Sequence, residues 1–144
     1  METPEQTFVE ALHQEHSDLF RELQKLEEAV GSGSAESLVG LGTGLGNVRT
    51  HLTNHFRFEE QGGYMAPLLK EEPRFGAVVR ELLDEHRQLA QTLDALIQEL
   101  RAAPGSRDVF RERVRAWVSH VRQHESRENN LVQEAYYSSG ATGD

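Results

Sequence analysis

Apolar residues recur at alternating steps of three and four along four stretches of the chain, which is the spacing of one buried face of an α-helix. The first stretch covers residues 7–30, and the second runs from about residue 36 to residue 61. The third begins near Pro73 and continues to about residue 100, and the fourth follows residue 106 and reaches Leu131. No stretch shows the alternation typical of a β-strand. The pattern therefore predicts an all-α protein with four helices.

Short segments rich in glycine, serine and proline separate these helices. They are residues 31–34, residues 62–67 and residues 103–106. Because helices joined by short connections pack as antiparallel neighbours, we expect an up-down-up-down four-helix bundle. With 144 residues the chain can build one hydrophobic core, so the function belongs to one domain. We expect this domain to span residues 1–137 and the polar tail, residues 138–144, to be disordered.

The second helix contains an unusual number of glycines near its start. Gly40, Gly42, Gly44 and Gly46 lie there, and each glycine costs about 1 kcal/mol in a helix interior. The apolar rhythm nevertheless continues through them without a slip. We therefore expect one long helix whose first turns are weak.

The two halves of the chain match each other at offsets of 69 and 70 residues. The matched polar pairs are His16 with His86, His55 with His124, and Glu59 with Glu128. The leucines around the first of these pairs also coincide. The halves therefore look like two copies of one helical hairpin, related by a pseudo-twofold axis in the folded bundle.

Histidines and glutamates interrupt the apolar stripes of all four helices. These residues are His16, His55, Glu59, His86, His124 and Glu128. A histidine and a glutamate four residues apart project from the same helical face, as happens once in each half. A buried glutamate is costly unless something neutralises its charge, and a pair of cations would do so. Nitrogen and oxygen ligands without sulfur suit iron or manganese, with zinc less favoured.

Other polar residues lie close to these stripes. His51 and His120 fall one turn before the second and fourth histidines, on the shoulder of the stripe. Each is expected either as an additional ligand or in the surrounding layer. Glu15 and Glu85 are expected to face away from the metals as surface charges, and Tyr64 to pack in its loop.

The amino-acid composition limits the kinds of molecule that the protein is expected to bind. The formal net charge is −9 and the basic residues are scattered, which argues against a nucleic-acid partner. The chain has no cysteine, so disulfides and thiolate metal sites are excluded. The acidic N-terminus lacks a signal-peptide pattern, and no apolar run approaches the roughly 20 residues of a membrane span. We expect a cytoplasmic protein that binds neither nucleic acid nor membrane.

At these residues the sequence resembles the hemerythrin-like family, also called the HHE cation-binding domain, from about Phe8 to Tyr137. The matching phrases are Gln14-Glu15-His16, His55-Phe56-Arg57-Phe58-Glu59-Glu60, Asp84-Glu85-His86, and His124 to Glu128 followed by Asn129-Asn130-Leu131. The resemblance implies a non-haem four-helix bundle with two iron ions joined by an oxo or hydroxo bridge. It also implies that the four stripe histidines are terminal ligands and that Glu59 and Glu128 bridge the irons.

The sequence departs from the oxygen-carrying hemerythrins in two places. Those proteins have a second histidine four residues on in the third helix and an aspartate in the fourth. Here Ala90 and the His124-Glu128 pair replace these features. A fifth histidine ligand is therefore expected from His51 or His120. In this respect the chain looks more like bacterial relatives implicated in sensing, detoxification or iron-centre repair.

Three functions are compatible with such a centre. The first is binding of a small ligand (O2, NO or peroxide) for sensing, storage or detoxification, which a histidine-rich site lined by leucines favours. The second is an enzyme that reduces nitric oxide or peroxide, with the extra histidines as proton relays. The third is an iron sensor or donor for iron-centre repair whose fold depends on occupancy. We favour the first.

Overall fold

The computed structural model describes residues 4–31, 35–61, 64–102 and 107–135. The α-helices in these ranges are α1 (Pro4–Gly31), α2 (Ala35–Gln61), α3 (Met65–Glu71), α4 (Gly76–Arg101) and α5 (Arg107–Gln133). A 3₁₀ turn, Pro73–Phe75, precedes α4. These residues contain no strand, so the prediction of an all-α protein is confirmed for this part of the chain.

The four long helices form a bundle. Helix α1 packs against α2 and α5, and α4 packs against the same two helices, which closes a ring around a common core. Each long helix turns its apolar stripe inward, as the periodicity predicts. The four predicted helices correspond to α1, α2, α4 and α5. None of the described helices is both long enough and apolar enough to cross a membrane.

The connection between α2 and α4 contains more structure than predicted. The sequence suggested a break at residues 62–67, but helix α3 begins at Met65. Pro67 is the third residue of that helix, where its missing N–H is not needed for an intrahelical hydrogen bond. The predicted start of the next helix near Pro73 is a 3₁₀ turn instead, and α4 begins at Gly76.

Some predictions concern residues that the structure does not describe, namely parts of the connections between helices and the C-terminal tail. Residues 32–34, 62–63 and 103–106, and the tail of residues 138–144, lie outside the described ranges.

The hydrophobic core consists of two clusters separated along the bundle. The tryptophan cluster contains Leu19, Leu23, Leu26, Val30, Leu41, Leu45, Val48, Leu52, Phe56, Leu89, Leu93, Leu96, Phe110, Val114, Trp117, Val118 and Val121. The tyrosine cluster contains Val9, Leu12, Tyr64, Met65, Leu68, Phe75, Val79, Leu82, Leu131 and Val132. On α1, α4 and α5 the inward histidines fall between the residues of one cluster and those of the other, as does Glu59 at the end of α2. A polar layer is therefore enclosed between two apolar ones.

The glycines of α2 divide into two kinds. A Cβ atom built on Gly42 would lie 3.3 Å from Leu100 Cδ2, and one built on Gly44 would lie 3.3 Å from Leu26 Cδ1. These two glycines let α4 and α1 approach α2 closely. A Cβ atom on Gly40 or Gly46 would meet nothing within 4 Å, so packing does not require glycine at either position.

Replacing Gly46 with alanine should stabilise the protein by about 0.5–1 kcal/mol, because alanine loses less backbone entropy in a helix and its methyl group enters open space. The matched control is Gly42→Ala, whose methyl group must displace Leu100. Urea unfolding followed by circular dichroism measures both changes. An equal gain in the two variants would contradict the packing role assigned to Gly42.

Candidate metal centre

Seven polar side chains meet in the layer between the two apolar clusters. They are His16, His55, Glu59, His86, His124, Glu125 and Glu128, and none is more than 3% exposed. Six of them are the ligands predicted from the sequence, which the structure brings together from four helices. The seventh, Glu125, was not predicted.

The donor atoms of these side chains form two overlapping groups, each with its atoms within 4.8 Å of one another. The first group contains His16, His55, Glu59, Glu125 and Glu128. The second group contains Glu59, His86, His124 and Glu128. Because Glu59 and Glu128 belong to both, they occupy the positions that bridging carboxylates require.

The first group is arranged around Glu125 and Glu59. Glu125 Oε2 lies 2.6 Å from His16 Nε2, and Glu125 Oε1 lies 3.3 Å from His55 Nε2. Glu59 Oε2 lies 3.4 Å from Nε2 of both histidines. Each imidazole therefore faces two carboxylates.

The second group uses the other oxygen of Glu59. Glu59 Oε1 lies 3.3 Å from His86 Nε2, while Glu128 Oε1 lies 3.6 Å from the same nitrogen and 2.5 Å from His124 Nε2. The two oxygens of Glu59 thus face different groups, which is the orientation of a carboxylate able to join two cations.

Hydrogen bonds outside the layer fix three of the four imidazoles through Nδ1. The pairs are His16 with Asn129 Oδ1 at 2.8 Å, His86 with Glu60 Oε2 at 2.6 Å, and His124 with Glu85 Oε1 at 2.7 Å. Because an ionised carboxylate and an amide oxygen can only accept, Nδ1 carries the hydrogen, and in the neutral ring the lone pair of Nε2 then points inward. The imidazoles are therefore oriented as ligands.

Lone pairs consequently face lone pairs inside the centre. The buried atoms there without a hydrogen-bond partner are His55 Nδ1 and Nε2, His86 Nε2, His124 Nε2, Glu59 Oε1, Glu125 Oε1 and Oε2, and Glu128 Oε1. Leaving such atoms unsatisfied is costly. Cations between them would satisfy the inward-facing atoms, and nitrogen and oxygen donors suit iron, manganese or zinc. The residues present therefore fit a pair of metal ions.

Protons are the alternative way to separate these acceptors. Burial, reinforced by the charge of Glu128, raises the pKa of Glu59 well above its ordinary value. Burial opposes ionisation of Glu128 too, but the contacts with Glu59, His124 and His86 together outweigh burial and hold the pKa of Glu128 well below the usual range. Burial lowers the pKa of His16, yet the proximity and charge of Glu125, together with the charge of Glu128 and the hydrogen bond to Asn129, outweigh burial and the net shift is upward. Metal ions must therefore displace protons from this centre.

Stability should depend on pH in opposite directions with and without metal. Without metal, the raised pKa values of His16, His124 and Glu59 stabilise the folded state at low pH, and this stabilisation is lost as pH rises. The lowered pKa values of Glu125 and Glu128 stabilise the folded state at higher pH, and that stabilisation is lost as pH falls below their ordinary pKa of 4.5. Chelated protein should therefore lose stability from about pH 6.5 to 8, whereas ferrous protein should gain it because protons compete less with the metal.

Anaerobic thermal unfolding across this pH range, with iron or with a chelator, measures both slopes. A chelated protein that becomes more stable as the pH rises would contradict the proton-sharing arrangement.

Glu125 is an additional donor side chain of the first group, whereas the sequence predicted a fifth histidine. It contacts His16 and His55 in the first group. The signal for it was present in the sequence, because Glu125 follows Val121 by four residues and precedes Glu128 by three. Both of those neighbours lie on the buried stripe of α5.

The structure does not bring His51 or His120 into either group. His51 is half-buried, and its Nε2 lies 3.5 Å from Glu15 Oε2. His120 is exposed and lines a cleft of about 400 Å³ between α4 and α5, whose wall also includes Glu85 and His124. Of the two roles expected for these histidines, the structure therefore does not support direct ligation, and the first group contains a carboxylate, Glu125, instead of a fifth imidazole.

Two other residues lie closer to the centre than expected. Glu85 is half-buried and accepts the His124 hydrogen bond, while Arg127 pairs with its other carboxylate oxygen. The interpretation of Glu85 as a surface charge that faces away from the metals was therefore wrong. Tyr64 is buried and its Oη donates to Glu128 Oε2 at 2.6 Å. Burial and the charge of Glu128 raise the pKa of Tyr64 well above its ordinary value, so the phenol keeps its proton.

Removing the Glu85 side chain should weaken metal binding by about 10–100-fold, because outer hydrogen bonds orient metal-binding histidines and strengthen them as donors. The variant is Glu85→Ala. The matched control is Glu81→Ala, one turn earlier on α4, which also removes a partner of Arg127 but touches no histidine. Competition with a coloured ferrous chelator measures both affinities. Equal affinities in the two variants would argue against an orienting role for Glu85.

The bundle and its centre define a class of protein, a four-helix metalloprotein with candidate ligands from histidine and glutamate. The family model of the hemerythrin HHE cation-binding domain matches residues 7–136. The chain belongs to this family, as the sequence resemblance indicated. No curated protein and no solved structure matches the chain.

Proposed function

We propose that this chain is a non-haem di-iron protein whose centre binds a small diatomic or peroxide ligand, O2, NO or H2O2, for sensing, storage or detoxification. The observation that carries the proposal is the pair of buried donor groups that share Glu59 and Glu128. Their nitrogen and oxygen donors suit iron. When bound, the iron pair supplies redox electrons and coordination positions for the ligand.

The chain offers the two ions different surroundings. His16, His55 and Glu125 would hold one ion, His86 and His124 the other, and Glu59 and Glu128 both. The second group has four donor residues and the first has five. A small external ligand therefore has most room at the second group.

The residues around the centre favour small, weakly polar ligands. The tryptophan and tyrosine clusters lie on the two sides of the polar layer, whose side chains are at most 3% exposed. The Phe56 ring stacks on His86 with 3.7 Å between ring centroids, which adds an apolar surface at the second group. Tyr64 places an O–H group beside Glu128. This mixture suits a diatomic molecule or peroxide better than a larger anion.

We also infer the up-down-up-down topology and the pseudo-twofold relation. Along α1 and α4 the chain passes from the tyrosine cluster to the tryptophan cluster, and along α2 and α5 it passes in the opposite direction. The repeat-related histidine pairs support the twofold relation. His16 and His55 meet edge to face at 4.9 Å and 67°, and His86 and His124 at 4.8 Å and 63°.

We place this chemistry in the cytoplasm, where reducing conditions keep iron ferrous. A net charge of −9 makes a nucleic-acid partner unfavourable.

Adding O2 or NO to the anaerobic ferrous protein should produce charge-transfer bands in the visible spectrum. Glu128→Ala should bind iron poorly and stay colourless, because it removes a shared carboxylate. Parallel iron analysis separates lost metal from lost reactivity. Wild-type protein that holds two iron ions and remains featureless with O2, NO and peroxide would overturn the proposed ligand binding.

A second candidate function is the reduction of nitric oxide or peroxide. It is favoured by the buried Tyr64 phenol, 2.6 Å from Glu128. Reduction of one H2O2 to two waters, or of two NO to N2O and water, consumes two electrons and two protons. Two ferrous ions held there would supply the electrons by becoming ferric, and both protons must come from solvent. Tyr64 is placed to relay each proton towards Glu128, taking up a new proton for every one it passes.

Under this second function, Tyr64→Phe should lower peroxide or nitric oxide turnover by about 100-fold, because positioned proton donors contribute at least that much to a rate. Iron content and helical signal should hold. Steady-state turnover with a chemical reductant measures the effect. Unchanged turnover in this variant would remove Tyr64 from the reaction.

A further inference from the structure

The repeat places two unlike residues at one pair of equivalent positions in the centre. The offset of 69 residues that aligns His55 with His124 also aligns Phe56 with Glu125. Where one half of the chain carries a carboxylate, the other half carries a phenyl ring. Both side chains are buried, with Glu125 0% and Phe56 7% exposed.

These two side chains contact equivalent histidines. Glu125 lies against His16, with 2.6 Å between Oε2 and Nε2. Phe56 lies against His86, the repeat partner of His16, with its ring nearly parallel to the imidazole at 3.7 Å. Phe56 is also edge-on to His124 at 5.8 Å. The exchange of glutamate for phenylalanine therefore separates two groups that the repeat otherwise makes alike.

We propose that the centre binds its two metal ions with unequal affinity, so that the first group fills before the second, because Glu125 and Phe56 occupy equivalent positions. This inference rests on the proposed function as a dinuclear metal protein. Glu125 adds a donor and a negative charge to the first group. Phe56 can supply neither to the second group, which depends on its two histidines and the shared Glu59 and Glu128.

The hydrogen bonds to Nδ1 of the histidines act in the opposite direction and favour metal binding at the second group. Both histidines of the second group have carboxylate partners, Glu60 and Glu85, whereas His16 has the neutral Asn129. Glu60 aligns with Asn129 at the same offset, so this too breaks the repeat. Carboxylate partners make an imidazole a stronger donor.

The direct carboxylate outweighs the outer ones. A ligating carboxylate oxygen lies about 2 Å from a cation, whereas a carboxylate beyond an imidazole ring lies about 6 Å away and attracts it roughly a third as strongly. The outer side chains are also 38% and 28% exposed, for Glu60 and Glu85, so solvent screens them. Loss of an outer partner lowers metal affinity by roughly 10-fold or more, and a carboxylate that ligates directly has a larger effect. We therefore expect the first group to bind its ion at least about tenfold more tightly than the second group binds its own.

Anaerobic titration of the metal-free 144-residue chain with Co²⁺ alone, monitored by visible absorption and calorimetry, tests the inference. Wild type should take up two ions in two separable steps. Repulsion between the ions can also split the steps, so a matched pair of repeat-related variants identifies the groups. His16→Ala should lose the tight step, and His86→Ala should keep it and lose the weak one.

Two further variants change the residues that break the repeat. Phe56→Glu should tighten the second step by at least about tenfold, while Arg57→Glu, which changes the charge by twice as much at the exposed neighbouring position, should not. Glu125→Gln keeps the shape of the side chain and should weaken the first step. Circular dichroism shows whether each variant is folded.

The outcomes separate the two proposals. Uptake of fewer than two ions by wild type would overturn the dinuclear function. Uptake of two ions with equal losses in His16→Ala and His86→Ala would overturn the unequal affinity alone, as would a second step that Phe56→Glu and Arg57→Glu change equally. Loss of the tight step in His86→Ala rather than His16→Ala would reverse the order of the groups and so overturn the assignment.

Discussion

The structure depends on acceptor atoms that face one another where water does not reach. Outer hydrogen bonds place the hydrogen of three imidazoles on Nδ1 and turn the Nε2 lone pairs toward Glu59, Glu125 and Glu128. Apolar clusters on both sides leave only cations or protons to separate these atoms. Folding, proton uptake and metal binding are therefore linked, because each changes the free energy of the same few buried atoms.

The helical bundle suits this chemistry because it supplies donors from several directions without using loops. Helices α1 and α4 each contribute one histidine to the cluster, α2 contributes a histidine and a glutamate, and α5 contributes a histidine and two glutamates. Rigid helices hold these side chains at fixed separations. The connection after α2 also takes part, since Tyr64 just before α3 donates to Glu128. The centre therefore contacts residues from all four long helices and from the connection that follows α2.

The repeat explains both the likeness and the difference of the two halves of the centre. Equivalent histidines meet at nearly the same distances and angles. Glu125 and Phe56, and likewise Asn129 and Glu60, occupy equivalent positions with different charges. One half places its additional carboxylate against the ligands, and the other places its additional carboxylate outside them. Two halves of matching sequence can therefore provide two electrostatically distinct positions.

The sequence by itself determined the four long helices and six of the seven clustered residues, because both follow from a period of 3.6 residues within single helices. Glu125 also falls on the buried stripe of α5, but that stripe is wide, and only the position of His16 across the bundle makes Glu125 part of the centre. Glu85, Tyr64 and Phe56 likewise acquire their roles from contacts between elements. His51 and His120 show the same limit, because a small rotation of a helix decides whether a shoulder residue reaches the centre. Local periodicity sets which face is buried, and packing between helices decides which atoms meet.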